Sequence, residues 1–218
     1  MKILIINTVP TEKNGITNVI FNYHKAINDK SFIFDFVAIN DIDDTYKQEI
    51  ERKRGKVFVL KRKNVLAYIL RLSRIIKKNK YNAVHIHGNS HTLVIELLAA
   101  MIGGCKSRIV HAHSTNCLSL RVHEILKKPF DFLCTHKLAC SQDAGHFMYG
   151  NNTFTVINNG IDVDKFSFDS QKRKVFRKAL NILDDEILLG HVGYFWELKN
   201  QKFIVEILYE LINRGGAI

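Results

Sequence analysis

Two kinds of apolar patterning alternate along this chain: continuous runs of four to eight residues, and stretches in which apolar side chains recur every three or four positions. Lys2–Asn7 is a continuous run, the pattern of a strand buried on both faces in a parallel sheet. After a polar loop holding Pro10, the segment Gly15–Asn28 places Ile16, Val19, Ile20, Tyr23 and Ile27 at helical spacing. The alternation repeats. Strands are predicted at Phe32–Ile39, Lys56–Leu60, Ala83–His87, Arg108–His111, Lys137–Ala139 and Phe154–Ile157, and helices at Asp43–Arg54, Val65–Lys78, Thr92–Ile102, Leu118–Thr135 and Gln142–Tyr149. Such βα alternation implies an α/β fold with a doubly wound, mainly parallel, Rossmann-like sheet, whose ligand crevice lies outside the carboxyl ends of the strands.

The pattern then restarts. Val156-Ile157-Asn158-Asn159-Gly160-Ile161-Asp162 reads as a strand end followed by a sharp turn, in which the Asn side chains can form local turns and Gly160 accepts positive φ. Asp164–Leu180 is a basic connector with a short helix at Arg173–Leu180. Ile187–Val192 reads as a new first strand, Gly193 ends it, and Gln201–Asn213 has apolar residues at helical spacing. The expected organisation is a domain over 1–163, a basic linker over 164–186, and an incomplete second Rossmann-like unit over 187–218 that stops where its next strand is due.

Composition narrows the class. No run approaches the roughly 20 apolar residues needed to span a bilayer, and the start lacks a secretory cleavage pattern, so a cytoplasmic chain is expected. The four cysteines form no CxxC pair, which favours reduced structural thiols over disulfides or a zinc site. Lys and Arg number 32 against 21 Asp and Glu, a formal charge of +11, so an anionic neighbour is expected. Basic residues gather in Arg52–Lys63, Arg71–Lys80 and Lys172–Lys178 without a nucleic-acid-binding signature, so no nucleic-acid partner is expected. Two readings of these runs stand: a solvated face, or contact with an anionic membrane through the amphipathic segment Val65–Lys80.

Candidate chemistry collects at predicted strand ends. Asn14-Gly15 opens a helix, where free N–H groups and the helix dipole favour a phosphate. Dinucleotide and P-loop glycine spacings are absent there. His85 with His87, and His111 with His113, form two His-x-His pairs whose members share a strand face. A metal could use such pairs, but no carboxylate or thiolate stands at ligand spacing, and a single imidazole bonding a sugar hydroxyl or a developing charge demands less. No metal or cofactor is therefore expected. Ser141 stands where a helix N-cap is due.

Five segments together resemble the retaining nucleotide-sugar glycosyltransferases of family 4, which have the glycosyltransferase B fold. The turn around Asn159, Gly160 and Asp162 resembles the interdomain "PNGID", with Asn158 in place of Pro; KYNAVHIHG and RIVHAHS resemble "yDvvHiHg" and "riVHsHns". The "acS" pattern matches at Ser141, and GHVGYFWELKNQKF resembles "GhVGRfxxqKNhxfl". To these five is added the loop at Asn14-Gly15, where the family has two glycines. The resemblance implies that His113 contacts the donor sugar near the reacting carbon, that Asn14, Gly15, Ser141, Gly193 and Lys199 serve the donor and its diphosphate, and that His85 and His87 have structural or acceptor-side roles. Tyr194 replaces an Arg that would share the diphosphate charge with Lys199.

The implied activity is metal-free transfer of a sugar from a nucleoside diphosphate to a glycan or lipid-linked hydroxyl acceptor, with retention, in bacterial surface polysaccharide synthesis. Because the family continues through a second domain holding a Glu-x7-Glu motif, residues 1–218 alone are expected to be inactive. The alternative is a non-catalytic truncated or split subunit that binds an acceptor or a partner protein.

Overall fold

The computed structural model describes residues 1–12, 14–195 and 197–214. The chain divides into two units, Met1–Asp162 and Val163–Ile218.

The first unit is built on β1 (Lys2–Asn7), β2 (Ile33–Ile39), β3 (Val57–Leu60), β4 (Ala83–His87), β5 (Ser107–Ala112), β6 (His136–Ala139) and β7 (Thr155–Val156). All pairings are parallel, in the order β3-β2-β1-β4-β5-β6-β7. Winding thus reverses between β1 and β4, the position at which doubly wound sheets open a crevice. The helices are α1 (Gly15–Ala26), α2 (Asp44–Arg52), α3 (Val65–Asn79), α4 (Val94–Ile102), α5 (Leu120–Ile125), α6 (Lys127–Leu133) and α7 (Gln142–Tyr149).

Strand alternation assigns the two sheet faces to two cores. Leu4, Ile6, Val84, Ile86 and Val110 pack with α3, α4, α6 and α7 through Leu72, Leu97, Phe130 and Met148, all buried. Ile5 and Phe36 point the other way and pack on Ile20 and Phe21 of α1 and Ile50 of α2. Close approach fixes some of this packing: a Cβ on Gly145 of α7 would lie 2.0 Å from the Phe154 ring.

Three sequence expectations need correction. The single helix predicted over Leu118–Thr135 is two, because Pro129 has no N–H to bond the Ile125 carbonyl and is tolerated only in the first turn of a helix that restarts at Lys127. The apolar side of α3 belongs to the core: Tyr68, Ile69, Leu72 and Ile76 are buried, leaving Val65, Leu66 and Leu70 as its exposed apolar residues. Gly160 uses no positive φ, the positive-φ glycines among the described residues being Gly104 and Gly150, and a Cβ there would make ordinary contact with Tyr23 at 3.5 Å.

In the second unit α8 (Ser170–Ala179) starts three residues before the predicted helix, because the Asp169 carboxylate accepts from the Gln171 and Lys172 N–H groups. α9 (Gln201–Asn213) has its predicted bounds. Ile187–Val192 is not a strand: Ile187, Leu188, Leu189 and Val192 are all exposed. A strand needs a hydrogen-bonding neighbour, and the described residues of this unit supply none. The expected following strand falls on 215–218, outside the described residues.

Candidate functional site

At the winding reversal, β1 and β4 are clamped together. Thr8, just past β1, donates its hydroxyl to the His87 carbonyl at 2.8 Å and its N–H to the same oxygen at 3.3 Å. Gly88 allows this approach, since a Cβ there would sit 2.6 Å from the Thr8 hydroxyl. The buried Asn7 amide donates to Thr17 of α1 at 3.0 Å. Asn14 caps α1: its side-chain oxygen accepts from the Thr17 N–H at 2.9 Å, and its amide donates to Pro10 at 2.8 Å. Gly15 is exposed, with no atom within 4 Å of where a Cβ would stand.

The two His-x-His pairs meet. Register pairs His87 with His111 across β4 and β5 and Ile5 with His85 across β1 and β4, so all three imidazoles share the α1 face of the sheet. His113, one residue beyond β5, continues the row. Ring centroids are 4.2 Å apart for His85 and His87, 5.3 Å for His87 and His111, and 4.3 Å for His111 and His113. His87 Nδ1 lies 2.9 Å from His113 Nε2, a hydrogen bond in which one ring donates and the other accepts. The His113 N–H donates to the Asn89 side chain at 2.9 Å, which fixes the backbone at the strand exit.

Burial is the first cause of proton loss here, and the neighbouring imidazoles add to it at three of the four rings. His85 and His113 are lowered to about 3 and His111 to about 4, while His87 falls well below its ordinary value. A hydrogen bond to the Ile157 backbone partly offsets the effect at His111. At neutral pH the row is uncharged, able to accept or donate hydrogen bonds or to offer lone pairs, but not to pair with a phosphate as a cation.

Behind the row, between α1 and the sheet, lies a cavity of about 210 Å³ lined by Ile20, Tyr23, His24, Phe36, His85, His87 and His111 among others. One ring nitrogen from each of His85, His87 and His111 lies within 4.8 Å of those of the other two, a spacing from which a metal could be held. His24, only 4% exposed, has edge-on contacts with Phe21, Phe34 and Phe36 and is lowered to about 4 by burial, then by Lys53. Sequence patterning marked none of His24, Asn89 and Gly88 as a site residue. Gly88 and Asn89 directly follow the first His-x-His pair, and position after a strand end is the signal that could have found them.

The remaining predicted residues are placed separately. Ser141 caps α7, its hydroxyl accepting from the Ala144 N–H at 3.2 Å. The turn holding Asn159 and Gly160 is tied to α1, where the Tyr23 hydroxyl donates to the Asn158 carbonyl and the Asn22 amide to the Gly160 carbonyl at 2.9 Å. Asp162 is exposed at the last position of the first unit. In the second unit Gly193 lies beside His191 and Lys199, and Lys199 is exposed at the end of a 3-10 turn, Glu197–Lys199.

No family model matches this sequence. The chain is 28% identical to the putative glycosyltransferase EpsF of Bacillus subtilis, over 93% of the chain and 56% of that protein. It is 27% identical to an Escherichia coli UDP-Gal:alpha-D-GlcNAc-diphosphoundecaprenol alpha-1,3-galactosyltransferase, over 67% of the chain and 41% of the relative. The chain thus spans about half the length of the curated relatives it matches. Among solved structures, Anabaena Alr3699/HepE, crystallised with UDP and glucose, superposes with a TM-score of 0.73 over 96% of this chain and 58% of that one, at 16% identity. Methanocaldococcus jannaschii UDP-GlcNAc 2-epimerase reaches 0.56 over 98% and 63%, at 17% identity. The seven-stranded parallel sheet with its flanking helices is the Rossmann-like architecture of the glycosyltransferase B fold. Both relatives are named as glycosyltransferases, and the neighbouring solved structures share that fold.

Proposed function

We propose that the chain is the acceptor-side domain and the opening of the donor domain of a retaining family 4 glycosyltransferase of polysaccharide synthesis, moving a sugar from a nucleoside diphosphate to a glycan or lipid-linked hydroxyl. The observation that carries this reading is the row of imidazoles at the carboxyl ends of β4 and β5, beside the winding reversal, in a chain similar to two glycosyltransferases. In it His113, held by His87 and Asn89, is the group that meets the donor sugar. Being neutral, it stabilises the developing charge by a hydrogen bond, the kind of preorganised contact whose loss commonly costs 100-fold or more in rate. His85 and His87 stand on the acceptor side, as support for His113 and for the wall behind it. Asn14, Gly15 and Ser141 line the donor side, with Gly193 and Lys199 on the diphosphate. Transfer proceeds with no metal in the reaction and no covalent enzyme intermediate.

Residues 1–218 alone bind donor weakly in this reading, since Tyr194 brings no charge beside Lys199. Peripheral contact with an anionic membrane, where lipid-linked acceptors reside, fits the charge of +11, and stronger flotation with anionic than with neutral vesicles at low salt checks it. Calorimetric titration with UDP- and GDP-sugars, paired with a transfer assay on undecaprenyl-diphosphate-linked sugars, tests the whole. We expect no turnover by residues 1–218, turnover by a longer reading frame that includes them, and a loss of about 100-fold there in His113→Ala but not in the exposed His136→Ala. Micromolar donor binding with multiple turnovers by residues 1–218 would overturn the proposed division of labour. A second reading, a non-catalytic subunit, draws on the uncovered apolar side chains of the second unit; absence of turnover in every longer frame would favour it.

A further inference from the structure

The cavity under α1 has a chemical oddity that sugar transfer does not use. Buried polar atoms are almost always partnered, yet Nε2 of His85, Nε2 of His111 and both ring nitrogens of His24 are buried without a hydrogen-bond partner. All three side chains line the same cavity, together with His87. Four imidazoles around an otherwise apolar space are costly to keep if nothing takes their lone pairs.

We propose that His85, His87 and His111 bind a divalent transition metal, with zinc the best match, as a structural centre between α1 and the β4–β5 pair. The ligand nitrogens are within 4.8 Å of one another. Ligands about 2.1 Å from a tetrahedral zinc lie about 3.4 Å apart, so each ring needs to move inward by less than about 1 Å. At one ligand an outer hydrogen bond already sets the tautomer. Nε2 of His111 is buried and unpartnered, so its lone pair is free for a ligand bond. His87 is anchored at Nδ1 by His113, which leaves its Nε2 for the metal. Ligating histidines in general are held in this way through the ring nitrogen that does not touch the metal. Three neutral imidazoles suit zinc, copper or nickel better than magnesium or calcium, which take oxygen ligands. The cavity leaves a fourth position for a water or hydroxide, and His24 lines the same cavity from α1.

This centre stands apart from the transfer reaction and does not depend on it. His113 holds one ligand and is not itself one, so the metal fixes the wall on which His113 stands. The expectation of a metal-free chain, drawn from ligand spacing along the sequence, concerned carboxylate or thiolate partners. The register of β4 and β5 brings together three imidazoles from both pairs.

The test uses the untagged chain of residues 1–218, purified without chelator. Elemental analysis after gel filtration should find about one zinc per chain, and cobalt exchanged into the site should give the intense visible absorption of a low-coordinate nitrogen site. Excess zinc should raise the melting temperature by about 5–10 °C over the chelated protein. His85→Phe and His111→Phe, which keep the cavity filled, should lose the metal while melting cooperatively in chelator; His136→Gln should keep it. If both Phe variants unfold, the cobalt spectrum of the unmodified chain, with nitrogen ligands resolved by X-ray absorption, decides alone. Less than a tenth of an equivalent of metal, or full occupancy in both folded Phe variants, would overturn the proposal.

Discussion

β1 in the first unit and Ile187–Val192 in the second carry the same signal, a short run of branched apolar residues followed by a turn and an amphipathic helix. Their fates differ. Lys2–Asn7 is hydrogen-bonded on both edges, to β2 and β4, and Leu4 and Ile6 are 0% exposed. Val192 and Phe195 are 101% and 95% exposed, and Arg177 is the one buried residue among the described residues of the second unit. An apolar pattern states what a segment can bury; whether it does depends on neighbours at hydrogen-bonding distance. Only then is the cost of ordering the backbone offset.

The contrast predicts its largest effect in hydrogen exchange. Amides of β1, β4 and β5 should open only with global unfolding, of the order of 5 kcal/mol or more, while those of Ile187–Val192 should exchange near the free-chain rate. Equal protection in both segments would show that the second unit has partners that its exposed side chains do not reveal. A smaller effect separates the units by mutation. Leu97→Ala, at a fully buried position, should cost about 2–5 kcal/mol in denaturant unfolding, and Phe195→Ala no more than about 0.5 kcal/mol.

Acid should sharpen the comparison further. His24 takes a proton near pH 6.5 when unfolded but only near 4 in the fold, so its contribution is complete above 6.5 and declines as the pH falls to 4. At 1.36 kcal/mol per pH unit the loss is about 3 kcal/mol, and His85, His87, His111 and His113 move in the same direction. The buried Glu96, pushed up to about 7 by burial against the pull of Arg62, works the opposite way between about 4.5 and 7, but the histidines outnumber it. In the chelated, metal-free protein the denaturation midpoint of the first unit should therefore fall between pH 7.5 and 4.5, while the helicity of the second should hardly change. A midpoint that does not fall would mean that these imidazoles reach water in the folded state.

Local rules decided much of this protein. Alternation of apolar runs with helical spacing was enough to locate all seven strands of the first unit, because a parallel strand buried on both faces has almost no room for polar residues. Caps at Asn14 and Ser141 were legible because a hydroxyl or amide oxygen next to the first helical N–H groups is a purely local contact. The break at Leu126 was written in Pro129 and overlooked, since the apolar spacing runs through it. That His85 and His87 share a face followed from the period of a strand. That His111 is their neighbour, with His113 bonded to His87, followed from the register of β4 on β5, a pairing of residues 24 apart in the sequence. The cavity exists only because α1 lies on that face and brings His24 over the row, and the side of α3 that looked ready for a membrane is spent on the core. Which apolar faces find each other is a property of the packed whole: burial and register are energies of pairs distant in sequence, and the chain states only one member of each pair at a time.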